Sequence, residues 1–168
     1  MAKGRAAAAE AKKLIGLIGK TIRQGTIRPA AGHAPEKIWP KHRKPGTPGT
    51  VDRSQVRNLY QHELDTAARL AKHGHDVTFL PRRGTDRSPD ALIDGRKFEF
   101  KAPEGGNGSI GRNVRNSAHQ ARRAVLDNTR SLVSDYEALR LARSAFERYR
   151  GLDELWVITK DGLEKWTR

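Results

Sequence analysis

The chain has 168 residues, of which 36% are hydrophobic and 31% charged, and it contains no cysteine. This length suits one ordinary domain with an appendage, and the lack of cysteine excludes a disulfide framework and a zinc–thiolate site. Lys and Arg number 33 against 19 Asp and Glu, so the formal net charge is +14. Such a surplus favours a polyanionic partner, nucleic acid first. No apolar run is long enough to cross a bilayer, so no membrane span is expected, and no signal peptide is recognised.

Residues 1–50 differ from the rest of the chain in charge and in proline content. They hold eleven Lys or Arg and two Glu, a net charge of +9, whereas the remainder carries +5. Apolar residues at helical spacing predict a basic helix over residues 5–24. Five prolines over residues 25–50 exclude a helix or a central strand, so an extended basic linker is predicted there. The domain itself is expected to occupy residues 51–168.

The first half of this domain shows one helical pattern followed by strand-like runs. A helix is expected from Val56 to Ala71, with Gly74 as its stop. Three short β-type runs follow, at residues 75–81, 90–93 and 97–101. The last two are separated by Asp94-Gly95, which is a strong signal for a type I′ hairpin turn.

The second half repeats the alternation of helix and strand. A helix is expected over Ile110–Arg123, after which Ala124–Asp127 fits either a continuation of that helix or a fourth strand. A further helix is predicted over Leu132–Tyr149, and two strands flank the Asp161-Gly162 turn. The residues expected to face inward from that helix are Leu132, Tyr136, Leu139 and Phe146. The predicted order, α-β-β-β-α-β and then α-β-β, indicates an α/β fold with a mixed central sheet and flanking helices.

The hairpin carries charged residues in an unusual arrangement. A two-residue turn places Asp90 opposite Glu99 on one face, where facing Cβ atoms lie about 4.5–5.5 Å apart. Lys101 shares that face because side chains alternate along a strand. Two like charges in this position cost stability unless a cation lies between them.

Two interpretations of the hairpin charges follow. In the first, Asp90 and Glu99 hold a divalent cation, and oxygen ligands favour Mg²⁺ or Mn²⁺. Such an ion activates water and neutralises charge at phosphorus, while Lys101 orients the water or bonds the phosphate. In the second, the hairpin face is solvated, and Lys97 or Lys101 is merely an ion-pair partner.

The segment after the hairpin suits phosphate binding. Gly105, Gly106 and Gly108 precede the second predicted helix, whose N-terminus offers unpaired N–H groups to a phosphate near Ser109. Basic side chains along or just after this helix are candidates for contacts with neighbouring phosphates. They are Arg112, Arg115, Arg122 and Arg123.

Pro89-Asp90 followed by Glu99-Phe100-Lys101 resembles the signature of the PD-(D/E)xK nuclease superfamily, whose common core the predicted element order also resembles. Many members add a Glu on the preceding helix, where Glu63 stands, and a Gln on the following helix, where Gln120 stands. Over about residues 56–165 the chain also resembles the C-terminal tRNase toxin domain of contact-dependent inhibition (CdiA-type) proteins. The phrases that carry this second resemblance are His62-Glu63 through Ala67-Ala68, Gly74–Val77, Leu80-Pro81, Ser88–Gly95, Phe98–Pro103 and Ala124–Asp127.

The resemblance implies an active constellation of Glu63, Asp90, Glu99 and Lys101, with the three carboxylates as ligands of Mg²⁺ or Mn²⁺ and Zn²⁺ as a further candidate. It implies metal-dependent cleavage of tRNA in the cytoplasm by a delivered toxin, and an immunity protein as partner. Two other hypotheses stay open. One is a DNA endonuclease of restriction, repair, junction-resolving or phage type that uses the same residues. The other is a non-enzymatic nucleic-acid-binding module in which the carboxylates are structural.

Overall fold

The computed structural model describes residues 46–82 and 88–168; the predicted basic helix and most of the predicted linker lie outside these residues. The described part contains one seven-stranded mixed sheet and three α-helices. The strands are β1 (Val51–Asp52), β2 (Val77–Phe79), β3 (Ala91–Ile93), β4 (Arg96–Lys101), β5 (Arg123–Asp127), β6 (Glu154–Ile158) and β7 (Leu163–Thr167). The helices are α1 (Gln61–Lys72), α2 (Asn107–Ala118) and α3 (Asp135–Arg148), and a 3₁₀ turn spans Asn128–Arg130.

The strands are arranged in the sheet in their sequence order, from β1 to β7. β2, β3 and β4 pair antiparallel, whereas β4, β5 and β6 pair parallel through the crossover helices α2 and α3. β1 is parallel to β2 and β7 is antiparallel to β6. It follows that β1, β2, β4, β5 and β6 all run in one direction. The side of the sheet where these five strands finish is called the carboxyl end below, and the side where they start the amino end.

The element order predicted from the sequence is confirmed, with β1 as one additional short strand. The ambiguous segment before Asp127 is strand β5. The hairpin register is confirmed for the pairs from Ile93 with Arg96 back to Ala91 with Phe98. Asp94 and Gly95 have φ angles of 49° and 79°, the left-handed conformations that a type I′ turn requires.

The sheet separates two hydrophobic clusters because neighbouring strand residues point to opposite faces. Val125 and Trp156 face α1, where Ala67 and Leu70 are completely buried. Leu126 and Val157 belong to the cluster on the opposite face, which α2 and α3 cover. The fold is therefore a three-layer α/β/α arrangement with both sheet faces covered.

The inward face predicted for α3 is partly wrong. Leu132 is 86% exposed because it precedes α3, which starts only after Ser134, whose hydroxyl accepts a hydrogen bond from the Glu137 amide. Tyr136 lies within the helix but is 80% exposed. The buried stripe consists of Ala138, Ala142, Ala145 and Phe146. Small alanine side chains let α3 approach its neighbours closely, so the larger aromatic Tyr136 lies off the contact. Phe146 is buried and Leu139 partly buried, as predicted.

Other helix boundaries also differ from the prediction, and α2 begins at Asn107 rather than Ile110. The first helix begins at Gln61 rather than Val56, and α2 ends at Ala118 rather than Arg123. None of the helices within residues 46–82 and 88–168 combines the length and the apolar character that a membrane crossing needs.

Candidate active site

The carboxyl end of the sheet gathers the predicted active residues. β2 and β4 finish there, α1 and α2 begin there, and Asp90 immediately precedes β3, which runs the other way. Ligands of α/β sheets bind most often outside the carboxyl ends of strands. The topology thus places Glu63, Asp90 and Lys101 at one end of the molecule.

Asp90 is held by the backbone on both sides. Its amide donates to the Phe98 carbonyl (3.0 Å), and its own carbonyl accepts from the Leu80 amide (2.9 Å). Its carboxylate accepts a hydrogen bond from the Phe100 amide at 2.7 Å. The predicted pairing with Glu99 is wrong in detail, because the β3–β4 ladder ends at Ala91 and the Asp90 side chain itself bonds the next free amide of β4.

Glu99 and Lys101 project from one face of β4. Glu99 is only 6% exposed, and its carboxylate accepts a hydrogen bond from the Lys101 ammonium at 2.6 Å. Phe98 and Phe100 point to the other face, where Phe98 packs on Trp156. The ion pair predicted by the solvated-face interpretation is present, but the burial of Glu99 contradicts a solvated face.

The electrostatics of Asp90 show that these groups act on one another. Burial and the neighbouring Glu99 carboxylate raise the pKa of Asp90 to about 7, with a further rise from Glu63. The Phe100 amide and Lys101 oppose this change. Asp90 is thus a buried carboxyl group beside a second carboxylate, a setting in which a bound cation would be favourable.

Glu63 is engaged on both of its oxygens. One accepts a hydrogen bond from the Tyr60 amide (2.9 Å), which caps the start of α1, and the other accepts from the Arg82 guanidinium. Glu63 is 4% exposed. In this arrangement Glu63 orients Arg82 and the helix terminus, and its role as a metal ligand stays a prediction.

Arg82 is the residue of this site that the sequence patterns did not indicate. Its guanidinium lies 4.7 Å from the centre of the Tyr60 ring and bonds Glu63. Burial alone would lower the Arg82 pKa, but Glu63, Tyr60 and Asp90 raise it. No local spacing links Arg82 to Glu63, since the two are 19 residues apart and belong to different elements. Only the position of Arg82 just after a predicted strand at a common end of the sheet was a usable signal.

The residues on and after α2 that were predicted to bind nucleic acid lie at different ends of the sheet. The helix starts after Gly106, and Ser109 lies in its first turn, with a hydroxyl that donates to the Gly106 carbonyl at 2.7 Å. Arg112 and Arg115 are exposed further along the helix. Ser109 therefore lies at the carboxyl end, near the end of β4.

Gln120, Arg122 and Arg123 lie after the C-terminus of α2, at the amino end of the sheet. Arg122 pairs with Asp153 (2.7 Å), and Arg123 pairs with Glu154 (3.3 Å). The structure therefore does not bring these three residues to the carboxylates, and their contact with nucleic acid stays a prediction.

The fit of a metal ion can be judged from the donor set. Asp90 and Glu99 supply hard oxygen ligands, and Mg²⁺ commonly uses one or two carboxylates together with water and substrate phosphate. Within residues 46–82 and 88–168, no three His, Cys, Asp or Glu side chains are grouped closely enough to hold a metal. The donor chemistry therefore fits a site based on the Asp90 and Glu99 carboxylates, not a complete protein cage.

Fold and site together define a mixed α/β protein with a carboxylate–lysine cluster at the carboxyl end of its sheet. Comparisons with known proteins bear on the fold and on part of the chain. Residues 87–163 match the family model of the contact-dependent growth inhibition CdiA C-terminal domain. This stretch contains Asp90, Glu99 and Lys101 but neither Glu63 nor Arg82.

A solved structure has a similar fold. It is a CdiA-CT/CdiI toxin and immunity complex from Burkholderia pseudomallei, with a TM-score of 0.51 and 23% sequence identity. The alignment covers 71% of this chain and 98% of the other. No curated protein matches the chain. At this identity the structural likeness establishes the fold alone.

Proposed function

We propose that the chain is a metal-dependent nuclease of the toxin type that cleaves tRNA, built on a PD-(D/E)xK core. The observation that carries the proposal is the cluster of Asp90, Glu99 and Lys101, in which burial and mutual repulsion raise the pKa of Asp90. The match of residues 87–163 to the CdiA C-terminal family supports the toxin role. The net charge of +14 supports a nucleic acid as the substrate.

Each group in the cluster has a role in hydrolysis of a phosphodiester. Asp90 and Glu99 would hold a divalent cation, which would supply Lewis-acid chemistry for activating a water and for neutralising charge at phosphorus. Lys101 is positioned by Glu99 and can donate a hydrogen bond to a phosphate oxygen. Water attack forms one P–O bond as the bond to the departing oxygen breaks; the attacking water gives up a proton to solvent, and the departing oxygen takes one up from solvent. The Phe100 amide fixes Asp90 throughout, since that contact is to the backbone.

The partner proposal rests on the solved relative. Its title names a toxin and an immunity protein, and we propose that a cognate immunity protein likewise inhibits this chain. The expected result is suppression of tRNA cleavage at a one-to-one ratio. The corresponding site of action is the cytoplasm of a competing bacterium, into which the toxin is delivered.

The deciding experiment incubates the protein with labelled tRNA and with labelled duplex DNA, each in Mg²⁺ or in EDTA. Cleavage of tRNA in Mg²⁺ alone is expected. Glu99→Gln should reduce the rate at least about 100-fold, because it removes one charged cation ligand and the Lys101 partner. Glu164→Gln, an exposed glutamate on β7, is the matched control and should leave the rate unchanged.

Four outcomes would contradict the proposal in different ways. Cleavage that survives EDTA would contradict the metal dependence. A fully active Glu99→Gln variant would contradict the assignment of the active site. Cleavage of DNA but not of tRNA favours the DNA endonuclease hypothesis. If neither is cut although both are bound, the chain is a nucleic-acid-binding module.

A further inference from the structure

A cavity of about 380 Å³ lies in the connection between β1 and α1. Because β1 finishes and α1 begins at the carboxyl end of the sheet, this connection lies at the same end as the carboxylate cluster. The residues that line it are Arg53, Val56, Arg57, Leu59 and Leu64. Leu59 and Leu64 are the sequence neighbours of Tyr60 and Glu63, so the cavity lies beside the start of α1, which Glu63 caps.

The lining combines two cations with an apolar wall. Arg53 and Arg57 are exposed, and no carboxylate in the described part of the chain forms an ion pair with either. Val56, Leu59 and Leu64 are partly buried and pack against the hydrophobic cluster beneath α1. The wall is therefore anchored in the core, while no carboxylate of residues 46–82 and 88–168 occupies either guanidinium group.

The backbone that carries the two arginines is fixed. The Asp52 carboxylate accepts a hydrogen bond from the Ser54 amide (2.9 Å), and the Arg53 carbonyl accepts one from the Val56 amide (3.1 Å). This turn sets the positions from which Arg53 and Arg57 project. A preformed arrangement lowers the entropy lost when a ligand binds.

We propose that this cavity, the Arg53–Arg57 pocket, binds one nucleotide unit of the substrate strand next to the cleaved position. Guanidinium groups match phosphate oxygens in charge and geometry, and the aliphatic wall suits the faces of a sugar and a base. The volume lies within the range of pockets for small ligands. This inference rests on the proposed nucleic-acid substrate and adds a second contact region to it.

A second, smaller cavity provides a control of equal charge. It measures about 150 Å³, and its lining includes Arg143, Arg150 and Glu147. Arg143 already pairs with Glu147 at 2.8 Å. α3 crosses from the carboxyl end to the amino end of the sheet, so Arg150, which follows it, lies away from the carboxylates.

The test uses the full chain carrying Glu99→Gln, so that binding is measured without cleavage. Its affinity for labelled tRNA and for duplex DNA is measured by fluorescence anisotropy in EDTA over a series of salt concentrations. Adding Arg53→Ala with Arg57→Ala should weaken binding at least about 10-fold and reduce the salt slope by roughly one to two. Arg143→Ala with Arg150→Ala, which removes the same charge, should change Kd less than about 2-fold. Arg53→Lys with Arg57→Lys should recover part of the affinity, because phosphate contacts by ammonium groups remain.

Each result decides the inference. Equal losses of affinity in the two double-alanine variants would show a general charge effect and overturn the pocket. An unchanged affinity in the Arg53/Arg57 double-alanine variant would also overturn it. A parent that binds neither nucleic acid overturns both the pocket and the proposed function. A parent that binds, with a selective loss in the Arg53/Arg57 pair, supports the pocket even if wild-type protein cuts nothing. The preference of the parent for tRNA or for DNA identifies which nucleic acid supplies the nucleotide.

Discussion

Asp90 shows how a single side chain of the candidate site lowers the stability of its own fold. Its pKa is raised from 3.8 to about 7, first by burial and then by Glu99. The folded chain therefore binds the Asp90 proton more tightly than the unfolded chain does. The contribution of Asp90 to the free energy of unfolding falls as the pH rises between about 4 and 7, and its full cost is present above pH 7.

Asp90→Asn should consequently stabilise the metal-free protein at pH 8. The expected gain in the free energy of unfolding is on the order of 1–3 kcal/mol, and it should vanish below about pH 4, where both states of the wild type are protonated. Asparagine still accepts the Phe100 hydrogen bond through its amide oxygen. Urea unfolding in EDTA at pH 4, 6 and 8 measures the difference, with Asp161→Asn as the exposed control. Parallel pH curves for wild type and Asp90→Asn would contradict the raised pKa.

Arg82 compensates the buried charge of Glu63. Arg82→Ala leaves that carboxylate, which is only 4% exposed, without its guanidinium. We expect a loss of about 1–2 kcal/mol in the free energy of unfolding, reduced by the partial exposure of Arg82 itself. Arg140→Ala breaks an exposed pair with Glu137 and should have little effect. Adding Glu63→Gln to Arg82→Ala should restore most of the loss. If the double-mutant cycle shows no coupling energy between the two positions, the ion pair does not stabilise the fold.

At the scale of elements, the hairpin turn fixes where the carboxylates lie. Gly95 has a φ of 79°, and a side chain there would contact nothing within 4 Å, so only backbone strain opposes a larger residue. Gly95→Ala should therefore destabilise the fold by about 1 kcal/mol. Gly162→Ala is the matched control, because that turn glycine also has open space and lacks a left-handed φ. Thermal unfolding compares the two variants, and equal shifts in Tm would show that the strain at Gly95 is not decisive.

The elements also show which features a sequence can predict. The hairpin was predictable because Asp94-Gly95 specifies both the turn and the register. The face of α3 was not, because its contact is made by alanines, and the large residues Leu132 and Tyr136 suggested a different stripe. Likewise, the link between Glu63 and Arg82 depends on two elements meeting at the carboxyl end, which local periodicity does not contain.

At the scale of the whole molecule, the topology separates the basic residues into two groups. The Arg53–Arg57 pocket, Arg82 and the start of α2 lie with the carboxylates, whereas Arg122 and Arg123 lie at the amino end in pairs with Asp153 and Glu154. A nucleic acid held at the carboxyl end would meet positive charge around a negative centre. Net charge alone, which sequence provides, does not distinguish these two ends.

Cation binding at the carboxyl end can be tested through the stability of the whole fold. An ion that binds only the folded protein raises its stability by RT ln(1 + [L]/Kd). For a Kd of about 1 mM, 10 mM Mg²⁺ adds roughly 1.4 kcal/mol, or a rise in Tm of about 3–6 °C. We expect this rise in the wild type and its loss in both Asp90→Asn and Glu99→Gln, measured by thermal unfolding. The Glu164→Gln variant should respond as the wild type does.

Ionic strength is matched in that experiment with about 30 mM NaCl, because screening alone changes the repulsion within a chain of net charge +14. A rise in Tm with NaCl equal to that with Mg²⁺ would mean that screening, not a specific site, is responsible. An undiminished Mg²⁺ effect in Glu99→Gln would place the ion elsewhere. A Mg²⁺-specific rise that disappears in both carboxylate variants ties the cation to the Asp90 and Glu99 pair before any substrate is added.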